Sequence, residues 1–495
     1  MSRETSPLLA HPPETEPETP VAPPPATDRV ATTRHPKFLR AIIVIFSVCF
    51  VAEIGTSLIG TADTRLFEMA VCRDYYREHD PSVIGEPPLS YVDEGLCKVK
   101  EIQTRLAYLR ATRGLVMTLP GIFLTLPYGH LSDKIGRKVV FFLTLLGQVL
   151  DMLATAAIYG SRQKERPTLT VIGGGNRVLI ACLNSVIVDV APPSTFTTVF
   201  YAFGAGGLLI EAAIMPVGAW LLLQDLWLPL KAAVTFIILP LVMVAALPET
   251  HVPKKTSFQD EDLDREGENT LPSPPKDRFS LPAMIRQTVS KYRDAVEGFK
   301  GPAKGARVCL VLLFMSSFTA RETQIFPQYA SKVLDWPIAK AGYVISVKRF
   351  VSLLLYASLA VLSRLVGRRG EGASLLLNKR VVVLSFATMG VGALMLGLSR
   401  DVVTLVIASV FDSAGYGVSL SLHGILAAFA DPASTGELFA GAALVELLAG
   451  LSGSFVFAGF FDLGLGLKIP RGIGLPYFVG AILYAFSTTH SAFML

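Results

Sequence analysis

The stretch "GHLSDKIGRKVVFF", residues 129–142, sets Asp133, Lys134, Arg137 and Lys138 between two apolar runs. "LVMTLPGIFLTLPY" (115–128) precedes it, and "VVFFLTLLGQVL" (139–150) begins inside it. A bilayer core of ~30 Å is crossed by ~20 apolar residues of helix. A tight charged knot between two such runs therefore reads as a turn at a membrane surface. Composition agrees. Of 495 residues 51% are hydrophobic and 17% charged, with a mean hydropathy of +0.49, whereas soluble proteins carry roughly a quarter charged residues. There is no sustained period-two alternation. Many of the 41 glycines and 32 prolines sit inside apolar stretches, which bilayer helices tolerate. The expected fold class is an all-α membrane protein.

Working outward, twelve apolar segments are long enough to span: 39–61, 106–128, 139–159, 168–190, 197–222, 228–247, 307–327, 341–363, 380–398, 402–428, 438–460 and 472–492. They divide six and six. The expected organisation is a Pro-, Glu- and Thr-rich disordered tail (1–38), a six-helix bundle (39–248), a linker (249–306) and a second six-helix bundle (307–495). The linker opens "ETHVPKKTSFQDEDLDREGEN", too polar to cross a bilayer, and its "LPAMIRQTVSKYRDAVEGFK" (281–300) has helical periodicity. No cleavable leader is visible in the tail, where "ETSPLL" (4–9) has the form of an acidic dileucine sorting signal.

Lys and Arg in the loops set the expected orientation. The 129–138 loop, the linker and the 364–380 loop are basic and separated by even numbers of spans, so they share the cytoplasmic side with both termini. "SRQKERP" (161–167) is the exception. The net charge of +5 follows from such loops and implies no nucleic-acid partner. The 62–105 loop then faces outward and carries Cys72 and Cys97. A disulfide is open to them if that compartment is oxidising, although spacing does not settle it. Cys49, Cys182 and Cys309 lie in apolar segments as packing residues.

The knot has a second copy. "AVLSRLVGRR" (360–369) matches Leu131 with Leu362, Ser132 with Ser363, Gly136 with Gly367 and Arg137 with Arg368. This suggests parallel duplicated halves, made inequivalent by Arg364 where the first copy has Asp133. Loop cations are explained by membrane orientation alone. Asp133 is not, nor are Gly129 and Gly136, which suit a turn and close backbone approach. Asp189, in "VIVDVAPP" (186–193), ends the fourth segment at the same depth. Gly129, Asp133, Gly136, Arg137, Lys138 and Asp189 are expected to form a conformational latch, strengthened by a low-dielectric boundary.

"GHLSDKIGRK" resembles the signature loop of the major facilitator superfamily, G-x-L-x-D-[RK]-x-G-[RK]-[RK], and lies between the second and third spans, as it does there. "LPET" (247–250) after the sixth span agrees. "GGGNRVLIA" (173–181) resembles the fourth-span arginine motif, with Ile180-Ala181 replacing the usual Gln-Gly. "CRDYY" (72–76), "CK" (97–98) and "QYASKVLDWPIAKAGYVISVKR" (328–349) resemble a fungal branch that includes drug and secondary-metabolite exporters. Two positions depart from the pattern. Phe196 stands where an arginine follows the fourth-span aspartate, and Met215 interrupts the fifth-span antiporter motif around "IMPVGA" (214–219). The resemblance implies a twelve-span alternating-access fold, a small-molecule substrate, protons as coupling ion, no cofactor, and a monomer in a plasma or vacuolar membrane.

A charge in mid-bilayer costs about 2.5 kcal/mol or more on insertion scales and marks a functional site by default. Glu53, Arg177, Glu211, Arg349, Asp412 and Glu446 are the candidate substrate and proton cavity. Arg177 is expected to hold Glu53 or Glu211; a structural pair between neighbouring helices is the plainer alternative for each. Arg321, Glu322 and Lys348 read as nearer helix ends, where long side chains snorkel. Asp151 and His423 read as packing groups. No metal-spaced Cys/His set or nucleophile elbow is present, and "GGGNR" lacks the Lys-Ser/Thr of a nucleotide loop, so enzyme and ATP-driven chemistry are not expected. The reading is proton-coupled efflux or vacuolar sequestration of a drug or secondary metabolite. Proton symport or facilitated uptake stays open, as does a transporter-like receptor or scaffold without flux.

Overall fold

The computed structural model describes residues 36–86, 91–160, 178, 179, 183, 196–246, 286, 290, 304–429, 435–467, 469 and 471–494. The 1–35 part of the tail, most of the linker and most of the expected 168–190 span lie outside this set. Among the described residues no strand occurs. The first half contributes α1 (Pro36–His79), α2 (Lys100–Ile135), α3 (Arg137–Gly160), α4 (Phe196–Gln224) and α5 (Leu228–Met243). The second contributes α6 (Lys304–Thr319), α7 (Phe326–Leu334), α8 (Ile338–Gly367), α9 (Glu371–Leu398), α10 (Val402–Ser413), α11 (Val418–Ala428), α12 (Thr435–Gly466) and α13 (Leu475–Met494). Among the described residues nine stretches are long and apolar enough to cross a membrane, and the bent pair α6–α7 makes ten. The 36-residue α2 carries the expected 106–128 segment.

Helices are the form that satisfies every backbone polar group inside lipid. Their outer faces are apolar, as a lipid boundary requires: Ile482 is 69% and Val242 68% exposed. The polar knot resolves into a chain reversal. Gly136, at φ 101°, closes α2 with its N–H on the Ser132 carbonyl at 3.2 Å, and α3 starts at the next residue. A side chain is strained at that φ, so glycine is the natural occupant. In the second copy the positive-φ glycine is Gly370 (φ 110°), not Gly367, which ends α8. Sequence matching pairs Gly136 with Gly367, three residues before the glycine that makes the second turn.

Three expected boundaries move. First, α1 runs on to His79, past the apolar window that ends at Gly60, so Cys72 sits on a helix rather than in a loop. Second, the seventh segment is interrupted. A 3-10 turn over Ala320–Gln324 separates α6 from α7, and the two helices meet at 45°. Arg321 and Glu322 therefore occupy a break inside the span rather than its end. Third, the 402–428 segment breaks at 414–417 into α10 and α11.

Packing places one core cluster in the second half around Phe386 with Tyr484, and a second around Phe326 with Tyr477 that also takes in Ala107 of α2. The first half has its own, around Phe141 and around Phe67 with Ile237. Ala62, Leu222 and Ala339 form a small core shared by the two halves.

Candidate functional site

Where the halves meet, α8 lies antiparallel to α4. Arg349 Nε is 3.0 Å from Glu211 Oε2, with the side chains 30% and 26% exposed. One turn along α8, Ser346 Oγ donates to the Ala212 carbonyl. Arg349 also lies 5.9 Å from the Tyr416 ring centroid. Tyr416 belongs to the 414–417 break, and Tyr356 OH donates to its carbonyl at 3.2 Å. Glu53 on α1 is within electrostatic reach of both Glu211 and Arg349. One turn away, Phe50 stacks with Phe46 and with Phe203 of α4, at centroid separations of 5.5 and 5.8 Å. The result is a half-open junction of two carboxylates and one guanidinium beside a wall of three aromatic rings.

The other expected cavity residues fall elsewhere. Asp412 is buried, and its Oδ2 lies 2.7 Å from Lys348 Nζ. Lys348 is ten residues inside α8 and only 7% exposed, so it does not snorkel. Glu446 on α12 accepts from Ser419 Oγ at 3.4 Å and sits 3.7 Å from His423 Nε2, within the second half. Arg177 and Asp189 lie outside the described residues, as do the side chain of Asp133 and the surroundings of Gly129. Of the expected latch, Arg137 Nη1 donates to Ser132 Oγ at 3.1 Å. Lys138 Nζ donates to the Ala245 carbonyl at 2.7 Å, tying the start of α3 to the end of the following α5 span. A lysine there meets the negative end of a helix.

The opposite face is held by a network. A disulfide joins Cys72 to Cys97. Around it Lys98 Nζ donates to Glu68 Oε1 and to Glu94 Oε1, each at 2.9 Å. Arg65 bonds Glu68 at 3.1 Å and Glu94 at 3.2 Å, and Gln103 Nε2 donates to Glu68 at 2.6 Å. Glu68 lies past the Gly60 end of the apolar span. Burial pushes its carboxyl above the ordinary range, against the opposing pull of Lys98 and Arg65. This network reaches the second half directly. The Ile338 N–H donates to Glu94 Oε1 at 2.7 Å, Gln328 Nε2 donates to Gln103 Oε1 at 3.2 Å, and Lys332 Nζ donates to the Lys98 carbonyl. Thr104 Oγ1 donates to Asp462 Oδ1 at 2.7 Å, and Arg110 Nη1 to the Gln324 carbonyl at 2.5 Å. Deeper in the first half, Arg113 clasps Asp63 at 2.6 and 2.8 Å.

Sequence reading did not find Glu68, Glu94, Thr104 or Asp462 as site residues. Their signal was weak: polar groups next to Cys97 or at span ends look like ordinary surface residues until the halves are brought together.

Comparison with known proteins is consistent with this architecture. A profile of the Major Facilitator Superfamily matches residues 110–378. The "MFS efflux pump atnC" of Emericella nidulans is 28% identical over 97% of this chain and 91% of its own length. The "Efflux pump ustT" of Aspergillus flavus is 25% identical over 81% of this chain and 78% of its own. In fold, the chain is similar to the human organic anion transporter MFSD10 (TM-score 0.59, 16% identity, 92% of this chain and 100% of that one). It is also similar to a D-xylose–proton symporter (TM-score 0.59, 13% identity, 92% and 98%). The chain belongs to the Major Facilitator Superfamily: it is a multi-pass integral membrane protein and a secondary transporter of small molecules, not an enzyme.

Proposed function

We propose that this transporter exports a small organic molecule, of the secondary-metabolite class, in exchange for protons. Residues 39–248 and 307–495 act as the two rocking halves, joined by the 249–306 linker behind a 1–38 tail. Both termini face the cytoplasm, and a single chain works in a plasma or vacuolar membrane. The export direction is supported by relatives that are named efflux pumps. The observation that carries the reading is the Glu211–Arg349 ion pair, which bridges the halves beside Glu53 and is open on one side. A half-exposed pair is weak enough to open, at roughly 1 kcal/mol or less. A cationic substrate competes for Glu211 and an anionic one for Arg349, while the Phe46–Phe50–Phe203 wall takes an apolar body.

In the mechanism, the disulfide-bearing network closes one face while the junction is loaded from the other. Opening that face requires Glu94, Thr104 and Gln103 to release Ile338, Asp462 and Gln328. Asp133, Arg137 and Asp189 then act as the latch on the cytoplasmic rim. Reconstitution into proteoliposomes with an imposed pH gradient tests this, using a panel of radiolabelled metabolites. A saturable flux that reverses with the gradient and falls at least tenfold in R349Q is expected. No gradient-dependent flux for any compound, or proton movement in the same direction as substrate, would overturn exchange.

A further inference from the structure

A second charge cluster lies wholly inside the second half, and its charges do not balance. Glu322 and Asp412 are each 1% exposed and Lys348 is 6% exposed. Lys348 Nζ stands 2.7 Å from Asp412 Oδ2 and 5.1 Å from the Phe326 ring centroid, which covers the ammonium. Both carboxylate oxygens of Glu322 are buried without a hydrogen-bond partner. Gly480 of α13 lies against that carboxylate: a Cβ there would collide with Glu322 Oε2, so the glutamate would have to move aside. Around the trio stand Tyr477 and Tyr484 of α13 and Tyr416 of the α10–α11 break, with Tyr329 of α7 behind Tyr477 at a ring separation of 4.5 Å. The neighbouring Arg321 is turned away, toward Gly450 and Gly453 of α12.

One ammonium neutralises one carboxylate. A second carboxylate held ionised in the same dry interior costs several kcal/mol, and such a group neutralises instead. Lys348 already contacts Asp412, so the uncompensated acid is Glu322. Glu322 is 1% exposed, whereas Glu211 and Arg349 of the junction are 26% and 30% exposed.

We infer that Glu322, set against the buried Asp412–Lys348 pair, is a proton-binding site of this transporter, separate from the Glu53–Glu211–Arg349 junction. The only bond made or broken there is the O–H of its carboxyl. When the proton leaves, Glu322 and Asp412 compete for Lys348. The next residue of α8 is Arg349, which grips Glu211 of the other half. Proton occupancy is thereby felt at the substrate junction through one helix. The use made of the proton rests on the exchange reading above; the protonation itself does not.

Infrared difference spectroscopy of the full chain in lipid nanodiscs, titrated with acid and labelled with carbon-13 glutamate, tests the site without any substrate. At neutral pH the wild type should show the C=O stretch of one buried protonated glutamic acid, which E322Q abolishes and E53Q and E211Q retain. In D412N, Lys348 is left to Glu322 alone, so the band should vanish at neutral pH and return on acidification; this variant decides the matter if E322Q does not fold. A band that survives E322Q, or a wild type without one, overturns the assignment. Flux driven by a pH gradient in a protein lacking the band would refute this site and leave proton exchange standing. The band in a protein that ignores the gradient would do the reverse.

Discussion

Lys348 and Arg349 are consecutive in α8, yet their charges serve opposite halves: Lys348 meets Asp412 at 2.7 Å inside the second half, and Arg349 meets Glu211 at 3.0 Å in the first. Successive helical residues point about 100° apart, which is enough to put one in the core and the other at the junction. Burial then separates their energetics. Removing one partner of a buried pair leaves an uncompensated charge and costs ~3–5 kcal/mol. Removing one partner of a half-exposed pair costs about 1 kcal/mol or less. K348M should lower the thermal midpoint strongly and R349M little, whereas R349M should lose transport. K348M/D412L should recover much of the lost stability. Equal losses for the two single variants would contradict the burial assignment.

The same trio depends on a close approach between helices. A Cβ on Gly392 of α9 would come within 2.7 Å of Asp412 Cα and 2.9 Å of its Cβ, so the end of α10 would have to move. At Gly207 of α4 the corresponding position meets nothing within 4 Å. G392A should therefore destabilise by ~1–3 kcal/mol, while G207A should be neutral or stabilise by ~0.5–1 kcal/mol through helix propensity. Melting curves of the two purified variants check the opposed signs.

Much of this architecture was legible in the sequence because lipid imposes simple rules. Long apolar runs gave spans, and Gly136 within a charged knot gave the α2–α3 turn. The misreadings share a cause. "RLFEMAVCRDYYREH" (65–79) is too polar to be a span, so it read as loop; it stays helical because Arg65 and Glu68 find partners in the following segment and Cys72 is bonded. The breaks fall at the polar "ARETQ" (320–324) and the glycine-bearing "AGYG" (414–417), each short and set within apolar stretches, so a span-length apolar window runs straight through both. Glu322 read as a near-surface acid because a continuous helix was assumed there. The pairing of Glu211 with Arg349 joins residues far apart in the chain, which no local pattern encodes.

The Cys72–Cys97 bond closes a separation of 25 residues. Chain-entropy arithmetic for such a loop gives about 3.5 kcal/mol. Cys97 is followed by Lys98, which holds Glu68 and Glu94, so the bond also fixes the contacts that bridge to Ile338. Reduction, or C72S/C97S, should lower the thermal midpoint and increase hydrogen exchange in 338–344 as well as in 91–100. Unchanged exchange in the 338–344 segment would show that the bond stiffens its own loop only.

Asp401 caps α10, its Oδ1 accepting from the Thr404 N–H at 3.0 Å. The hydrogen bonds from Thr404 hold its carboxyl below the ordinary value of 3.8. A depressed folded value means that the cap's contribution is present above that ordinary value and lost as pH falls through the folded one. The stability difference between wild type and D401A should be constant from neutral pH down to about pH 5 and shrink toward zero in stronger acid. Chemical denaturation at a series of pH values reads this directly, and a difference that grows on acidification would contradict the cap.

The contact between Thr104 and Asp462 tests whether the closed face must open. Thr104 Oγ1 is 2.7 Å from Asp462 Oδ1, and Lys100 lies 3.9 Å from the same carboxylate, so α2 and α12 touch side chain to side chain across the halves. Neither residue is near the Glu211–Arg349 junction, so replacing them leaves substrate contacts alone. In a background with Cys49, Cys182 and Cys309 changed to serine, T104C/D462C should cross-link under mild oxidant. The cross-linked protein should lose flux at least tenfold, and reductant too mild to open Cys72–Cys97 should restore it. Each single cysteine variant should retain flux under the same oxidant. If the cross-linked transporter still carries substrate at the uncross-linked rate, α2 and α12 do not separate during transport, and the path must open between other helices, such as α4 and α8, which form another long seam among the described residues.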